Sequence, residues 1–249
     1  MKFGNFHGWL LGVVAYFVFL AGSLPADYVA HWVSRRAPSI QFSGVSGSLF
    51  SGQADELSLS DHPLGAIDWH FDWLAPLTAT VGYRIRLHTA NHDVEGRVDT
   101  RFETLYLRDV SGRLPVASLD PWSPLPPHSL DGDMDLKLRQ LTIDAGHLTH
   151  AVGDVDLTQA VLDWPTHFTL GSYQMILTDA RDGVHAAVND VSSPLSLHAD
   201  LMLNPKGAYS LNGTLAAHDA TDTATRRLLA YLGAPDSTGR YPFSFKGQL

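Results

Sequence analysis

Thirteen histidines and twenty-six acidic residues give this 249-residue chain many side chains that could hold a metal or move a proton. Two histidine pairs stand close in sequence, His147-x-x-His150 and His88-x-x-x-His92. A zinc site needs three or four converging ligands. Neither pair has a third ligand at a known spacing, and the second lies in a strand and turn context where positions i and i+4 do not converge. Asp131-Gly-Asp-Met-Asp135 begins like a calcium loop. It then places Leu136 where the loop needs glycine and Thr142 where it needs a bidentate glutamate, so these aspartates read as the polar edge of a strand. The cluster Gly44, Gly47 and Gly52 lacks the lysine and following helix of a phosphate cradle. No nucleophile elbow or dinucleotide fingerprint occurs. Asn212-Gly-Thr is a glycosylation sequon, but it falls inside a strand pattern. The sequence therefore names no catalytic, cofactor-binding or metal-binding residue, and the chain is expected not to be an enzyme.

What the chain repeats is a five-residue signature, apolar-x-Gly-x-apolar. Its seven copies are centred on Gly47, Gly96, Gly112, Gly132, Gly153, Gly213 and Gly247. Around several copies the alternation continues. Val94, Gly96, Val98 and Phe102 share one parity, and Glu95, Arg97, Asp99, Arg101 and Glu103 share the other. A period of two, apolar on one side and charged on the other, predicts antiparallel strands with one greasy and one wet face. Glycine within such strands removes a side chain and permits a bend or a close approach. The expected fold is mainly β, a curved, one-sided, largely antiparallel sheet. In Leu130 to Ile143 the apolar parity shifts between Leu138 and Leu141, which predicts a bulge near Gln140.

Composition supports a folded protein, 45% apolar and 17% charged, and a net charge of −9 argues against a phosphate-neutralising surface for nucleic acid. With no cysteine there are no disulfides. Residues 1–8 form a short amino terminus expected to be cytoplasmic. Residues 3–26 carry no Asp, Glu, Lys or Arg, and 9–26 are read as a transmembrane anchor. A cleaved signal peptide is the alternative, since Ala21-Gly22-Ser23 is a passable cleavage site. Residues 27–38 then place Tyr28, Val29, Trp32 and Val33 at helical spacing, a juxtamembrane helix closed by Pro38. The remainder, 39–249, is a β-rich domain. Proline-rich Leu119 to Pro127 divides it into two possible halves, 39–118 and 129–249. One internal helix is expected, Thr221 to Leu232, with a stripe of Ala224, Leu228, Leu229 and Leu232, ended by Gly233 and Pro235.

In order and content these features resemble the protein N family of the bacterial type II secretion system. The resemblance covers the whole chain. It rests on the membrane segment ending near Pro25, on Gly44-Val-Ser-Gly47-Ser-Leu-Phe-Ser-Gly52, on the Trp69 to Pro76 block, and on Leu229-Ala-Tyr-Leu-Gly233-Ala-Pro-Asp236-Ser-Thr-Gly239-Arg-Tyr241 leading to Phe245-Lys-Gly247-Gln-Leu249. It implies a single-pass inner-membrane protein with its bulk in the periplasm, a non-enzymatic accessory that supports the connection between inner membrane and secretin. The implied partners are the inner-membrane clamp protein, protein C, and, directly or through it, the outer-membrane secretin. The resemblance carries no catalytic residues. A more distant likeness, resting on the sheet pattern alone, is to the long one-sided sheets of AsmA-type envelope proteins. It gives the alternative reading, a protein that binds lipid or another hydrophobic ligand on an open apolar face.

Overall fold

The computed structural model describes residues 24–36, 39–59, 62–78, 80–89, 92–101, 103–118, 129–163, 167–219, 225, 229 and 234–248. Helix α1 (Ala26–Arg36) falls at the expected juxtamembrane helix, with Asp27 in its first turn, where a negative charge suits the helix dipole. Everything after it is organised by strands: β1 (Ile40–Ser43), β2 (Ser46–Gly47), β3 (Ser51–Leu59), β4 (His62–Phe71), β5 (Val81–Thr89), β6 (His92–Arg101), β7 (Thr104–Pro115), β8 (Leu130–Asp144), β9 (His147–Leu162), β10 (Phe168–Ala180), β11 (Gly183–Ser192), β12 (Leu195–Leu203), β13 (Ala208–Ala217) and β14 (Tyr241–Gln248). A 3-10 turn, Ala75–Thr78, follows β4.

All fourteen strands belong to one open antiparallel sheet. From β3 to β14 each strand pairs with the next in sequence, while β1 and the two-residue β2 both pair with β3. This meander follows from short polar connections between alternating segments, because a tight turn can return the chain only antiparallel. At Asn204, for example, the side-chain Oδ1 accepts from the Lys206 and Ala208 amides at 2.9 and 3.0 Å, closing the β12–β13 turn. Strands β7 and β8, which flank residues 119–128, pair along eleven positions, so residues 39–118 and 129–249 contribute to the same sheet.

The bulge expected near Gln140 is present. Leu138 pairs with Gly153 and Gln140 with Val152, which leaves Arg139 as the extra residue on β8. Further register shifts occur in the β3–β4, β6–β7, β9–β10 and β10–β11 ladders, each a point where a strand bends. Gly132 sits at another shift with φ of +136°. A Cβ there would lie 2.9 Å from the Thr158 carbonyl oxygen and 3.1 Å from the Ala160 Cα.

Two clusters of buried side chains involve strands β9 to β12. One cluster joins Ala151, Val184 and Leu203. Another joins Phe168 and Leu195 to Leu229. The expected 221–232 helix lies outside the described residues except for Thr225 and Leu229, both of which are helical and buried. Burying a leucine contributes about 2 kcal/mol, so Leu229 is an anchor for that segment. The proline-rich 119–127 stretch also lies outside the described residues. So does the expected span 9–26, apart from 24–26; among the described residues no helix is long and apolar enough to cross a membrane.

Gly132→Val should lower stability by about 2 kcal/mol, because valine must take a strained positive φ and meet the backbone of β9. Thr214→Val, on the polar face of β13, should leave stability unchanged or raise it. Urea unfolding of both variants checks this, and an unaltered midpoint for Gly132→Val would show that its backbone can relax.

Candidate functional site: an uncovered apolar sheet face

Residues that pair directly across strands point to the same side of a sheet, so the register decides which side chains form a continuous surface. A single row can be followed through twelve strands: Ala54, Ile67, Leu87, Val94, Gly112, Leu136, Val155, Met175, Val188, Ala199, Gly213 and Phe243. Not one carries a polar side chain. Two residues along each strand, a second row runs through Gly52, Trp69, Ile85 and Gly96 and resumes as Val110, Leu138, Gly153, Leu177, Ala186, Leu201, Leu211 and Phe245. Its one polar atom, Trp69 Nε1, donates to the Ser48 carbonyl at 3.1 Å. A shorter third row joins Phe71, Tyr83, Val98, Leu107, Leu141 and Ala151. Burial pushes the Tyr83 hydroxyl pKa above its ordinary value.

Among the described residues Leu229 covers part of this face, packing on Leu195, Leu215 and Tyr241, which share the parity of Ala199, Gly213 and Phe243. Each strand packs on its ladder neighbours, and the further close approaches are α1 on β1 and β2, the 3-10 turn on β5, and β9 near β11. Phe50, Phe71, Trp73 and Tyr83 form an aromatic cluster near the β1 end, with ring centroids 4.6 to 5.5 Å apart. Leu229 sits on Phe168 of β10 and Leu195 of β12. Between them the rows are half-buried by their own neighbours, as the intermediate exposure of Leu87, Val94, Leu136, Val155, Met175 and Val188 records.

The opposite face carries the charges, and it pairs them off locally. His70, Arg84, Arg97 and Arg108 line up across four strands, an arrangement that repels itself. Asp72 lies 3.5 Å from Arg97, and buried Asp99 lies 3.4 Å from Arg108, offsetting part of that cost. The sequence's candidate ligands are dispersed into separate pairs. His88 bridges Asp68 and Asp93 at 2.9 Å each, His92 meets Asp133 at 3.2 Å, and His150 meets Asp179 at 2.8 Å. Of the calcium-like run, Asp133 therefore serves His92, and Asp135 receives Arg113 at 2.7 and 3.0 Å. No group of three potential ligands converges among the described residues. Sequence reading did not anticipate the continuous apolar rows. Their signal was the shared parity of the glycine signatures, but parity along a strand does not say which residues of different strands align.

Hydrogen bonds from the His88 ring to Asp93 and then Asp68 raise its pKa above the ordinary 6.5. The folded state thus prefers the imidazolium, and this contribution is complete below pH 6.5 and is lost as pH rises through the raised value. Thermal stability should fall as pH rises above about 6.5 through the raised value, and His88→Asn should flatten that slope. Equal slopes in the two proteins would remove His88 as its source.

The chain matches the family model described as "Type II secretion system (T2SS), protein N" over residues 38–244. It is 26% identical over 248 residues to the type II secretion system protein N of Aeromonas hydrophila, covering 96% of each chain. It is 28% identical over 258 aligned positions to that of Klebsiella pneumoniae, covering 97% of this chain and 94% of the relative. With that of Vibrio cholerae serotype O1 it shares 25% over 215 residues, 84% and 85% of the two chains. No solved structure matches significantly. With the match running from before β1 into β14, the chain belongs to the protein N family of the type II secretion system.

Proposed function

We propose that the protein is a non-enzymatic component of the type II protein secretion system, held at the inner membrane by residues 9–26 with its sheet in the periplasm. It works there with other secretion proteins. Its direct partner in this reading is the inner-membrane clamp protein, protein C, through which it supports the link to the secretin. The observation that carries the reading is the family match across 38–244, which takes in almost the whole sheet. Three further features support it. Residues 3–26 lack Asp, Glu, Lys and Arg, and α1 begins where that segment ends. The Leu49 amide donates to the Leu24 carbonyl at 3.3 Å and Pro25 bridges to Ser48, so the sheet is tied directly to the end of the segment. His88, His92 and His150, with the carboxylates Asp68, Asp133, Asp135 and Asp179, are engaged in local pairs.

A membrane tether concentrates a protein against partners in the same plane, reaching about millimolar effective concentration over short linkers. Weak contacts then suffice. Replacing residues 1–26 with a cleavable signal peptide should release a folded periplasmic sheet that fails to support secretion at native expression and partly recovers on overproduction. The measurement is the amount of a type II substrate in the medium, with immunoblots of the clamp protein and secretin alongside. Full secretion by the released form at native level would overturn the tethered role.

A further inference from the structure

The sheet is open, and its two edges differ. At the first, β1 has four residues and α1 lies against it. At the other, β14 runs for eight residues and, among the described residues, pairs with β13 alone. It is exposed from Ser244 to Gln248. Phe245, which ends one of the apolar rows, is 56% exposed, while Leu211 beside it on β13 is half-buried. An edge strand of this kind is a template for one more strand.

The ladder fixes which backbone groups of β14 are free. The Asn204 amide donates to the Ala208 carbonyl and the His218 amide to the Pro194 carbonyl, so even-numbered residues of β13 turn their backbone to β12 and odd-numbered ones to β14. Tyr209 pairs with Gly247, Leu211 with Phe245 and Gly213 with Phe243, which leaves Pro242, Ser244, Lys246 and Gln248 with their backbone turned outward. Pro242, with no amide hydrogen, therefore takes nothing from the β13 ladder. We propose that this edge joins two copies of the chain, β14 pairing antiparallel with β14 of the second copy about a two-fold axis at Phe245. Ser244 then exchanges both backbone hydrogen bonds with the partner's Lys246, and the Gln248 amide reaches the partner's Pro242 carbonyl. The two Phe245 side chains stand opposite each other, and Phe243 stands opposite the partner's Gly247, so the apolar face runs on into the second sheet. The strand specifies this register against its neighbours. A slip of one residue sets Phe245 against the partner's Ser244 or the partner's Lys246, across faces. A slip of two sets Lys246 against its own copy in one direction and carries Gln248 past the start of the strand in the other. The self-match favours a second copy over an unrelated strand, and a two-fold contact closes at two copies.

The chain has no cysteine, so an introduced thiol is unique. Opposed residues at a non-hydrogen-bonded antiparallel pair stand about 4.5 Å apart at Cα, within disulfide reach. The purified full chain in mild detergent would be oxidised as Phe245→Cys and, for comparison, as Val191→Cys on β11, a side chain 67% exposed. Roughly fivefold more disulfide-linked dimer is expected from Phe245→Cys. Sedimentation of the wild-type, Lys246→Ala and Lys246→Pro chains supplies the second arm. Lys246→Pro removes an outward amide that β13 does not use, so the strand circular dichroism should be retained while dimer affinity falls roughly tenfold. Lys246→Ala should dimerise as the wild type does. A wild-type chain that sediments as a monomer would assign the edge to another protein's strand and overturn the proposal. Equal cross-linking at the two positions, or a folded Lys246→Pro chain that dimerises undiminished, would also overturn it.

Discussion

Antiparallel register is the constraint on which everything else in this molecule depends. A strand has a side-chain period of two, so a slip of one residue in any ladder would carry apolar residues to the charged face and charges to the apolar one. Twelve successive strands keep the row from Ala54 to Phe243 free of polar side chains despite register shifts in several ladders. The shifts and the glycines belong to one arrangement. A bulge such as Arg139 inserts one residue, which restores parity after the apolar pattern moves from Leu138 to Leu141. Gly132, with a positive φ and β9 backbone close beside it, allows the neighbouring strands to stay paired where register changes.

Among the described residues the apolar packing falls in separate clusters, the Phe50, Phe71, Trp73 and Tyr83 aromatics, the Ala151, Val184 and Leu203 group, and the Phe168, Leu195 and Leu229 group. Between them cohesion comes from ladder hydrogen bonds and from each row packing on itself. The charged face adds specificity more than energy. Its pairs, such as Arg86 with Glu95 at 3.3 Å and Lys137 with Asp156 at 3.5 Å, are exposed and individually worth less than about 1 kcal/mol.

The hydrogen bond from the Leu49 amide to the Leu24 carbonyl and the bridge between Pro25 and Ser48 fix the start of α1 against the β1 end of the sheet, and the row of apolar residues leads away from that end towards β14. The family match runs along the same sheet, from before β1 into β14.

The sequence alone was enough for the mainly β class, the two-faced strands, the helix that follows Pro25 and the bulge near Gln140, because each is a local consequence of period, parity or capping. Leu195, Leu197, Ala199, Leu201 and Leu203, for instance, announce one face of β12 without any partner in view. The single continuous sheet, the alignment of Val94 with Gly112 and Leu136, and the dispersal of His88, His92 and Asp133 into pairs were decided only by the tertiary structure. Register between strands is set by all the ladders together, and one bulge anywhere reassigns every neighbour beyond it. Whether the apolar face would be core or open surface was equally illegible, because an alternating strand reads the same with a second layer above it as with none.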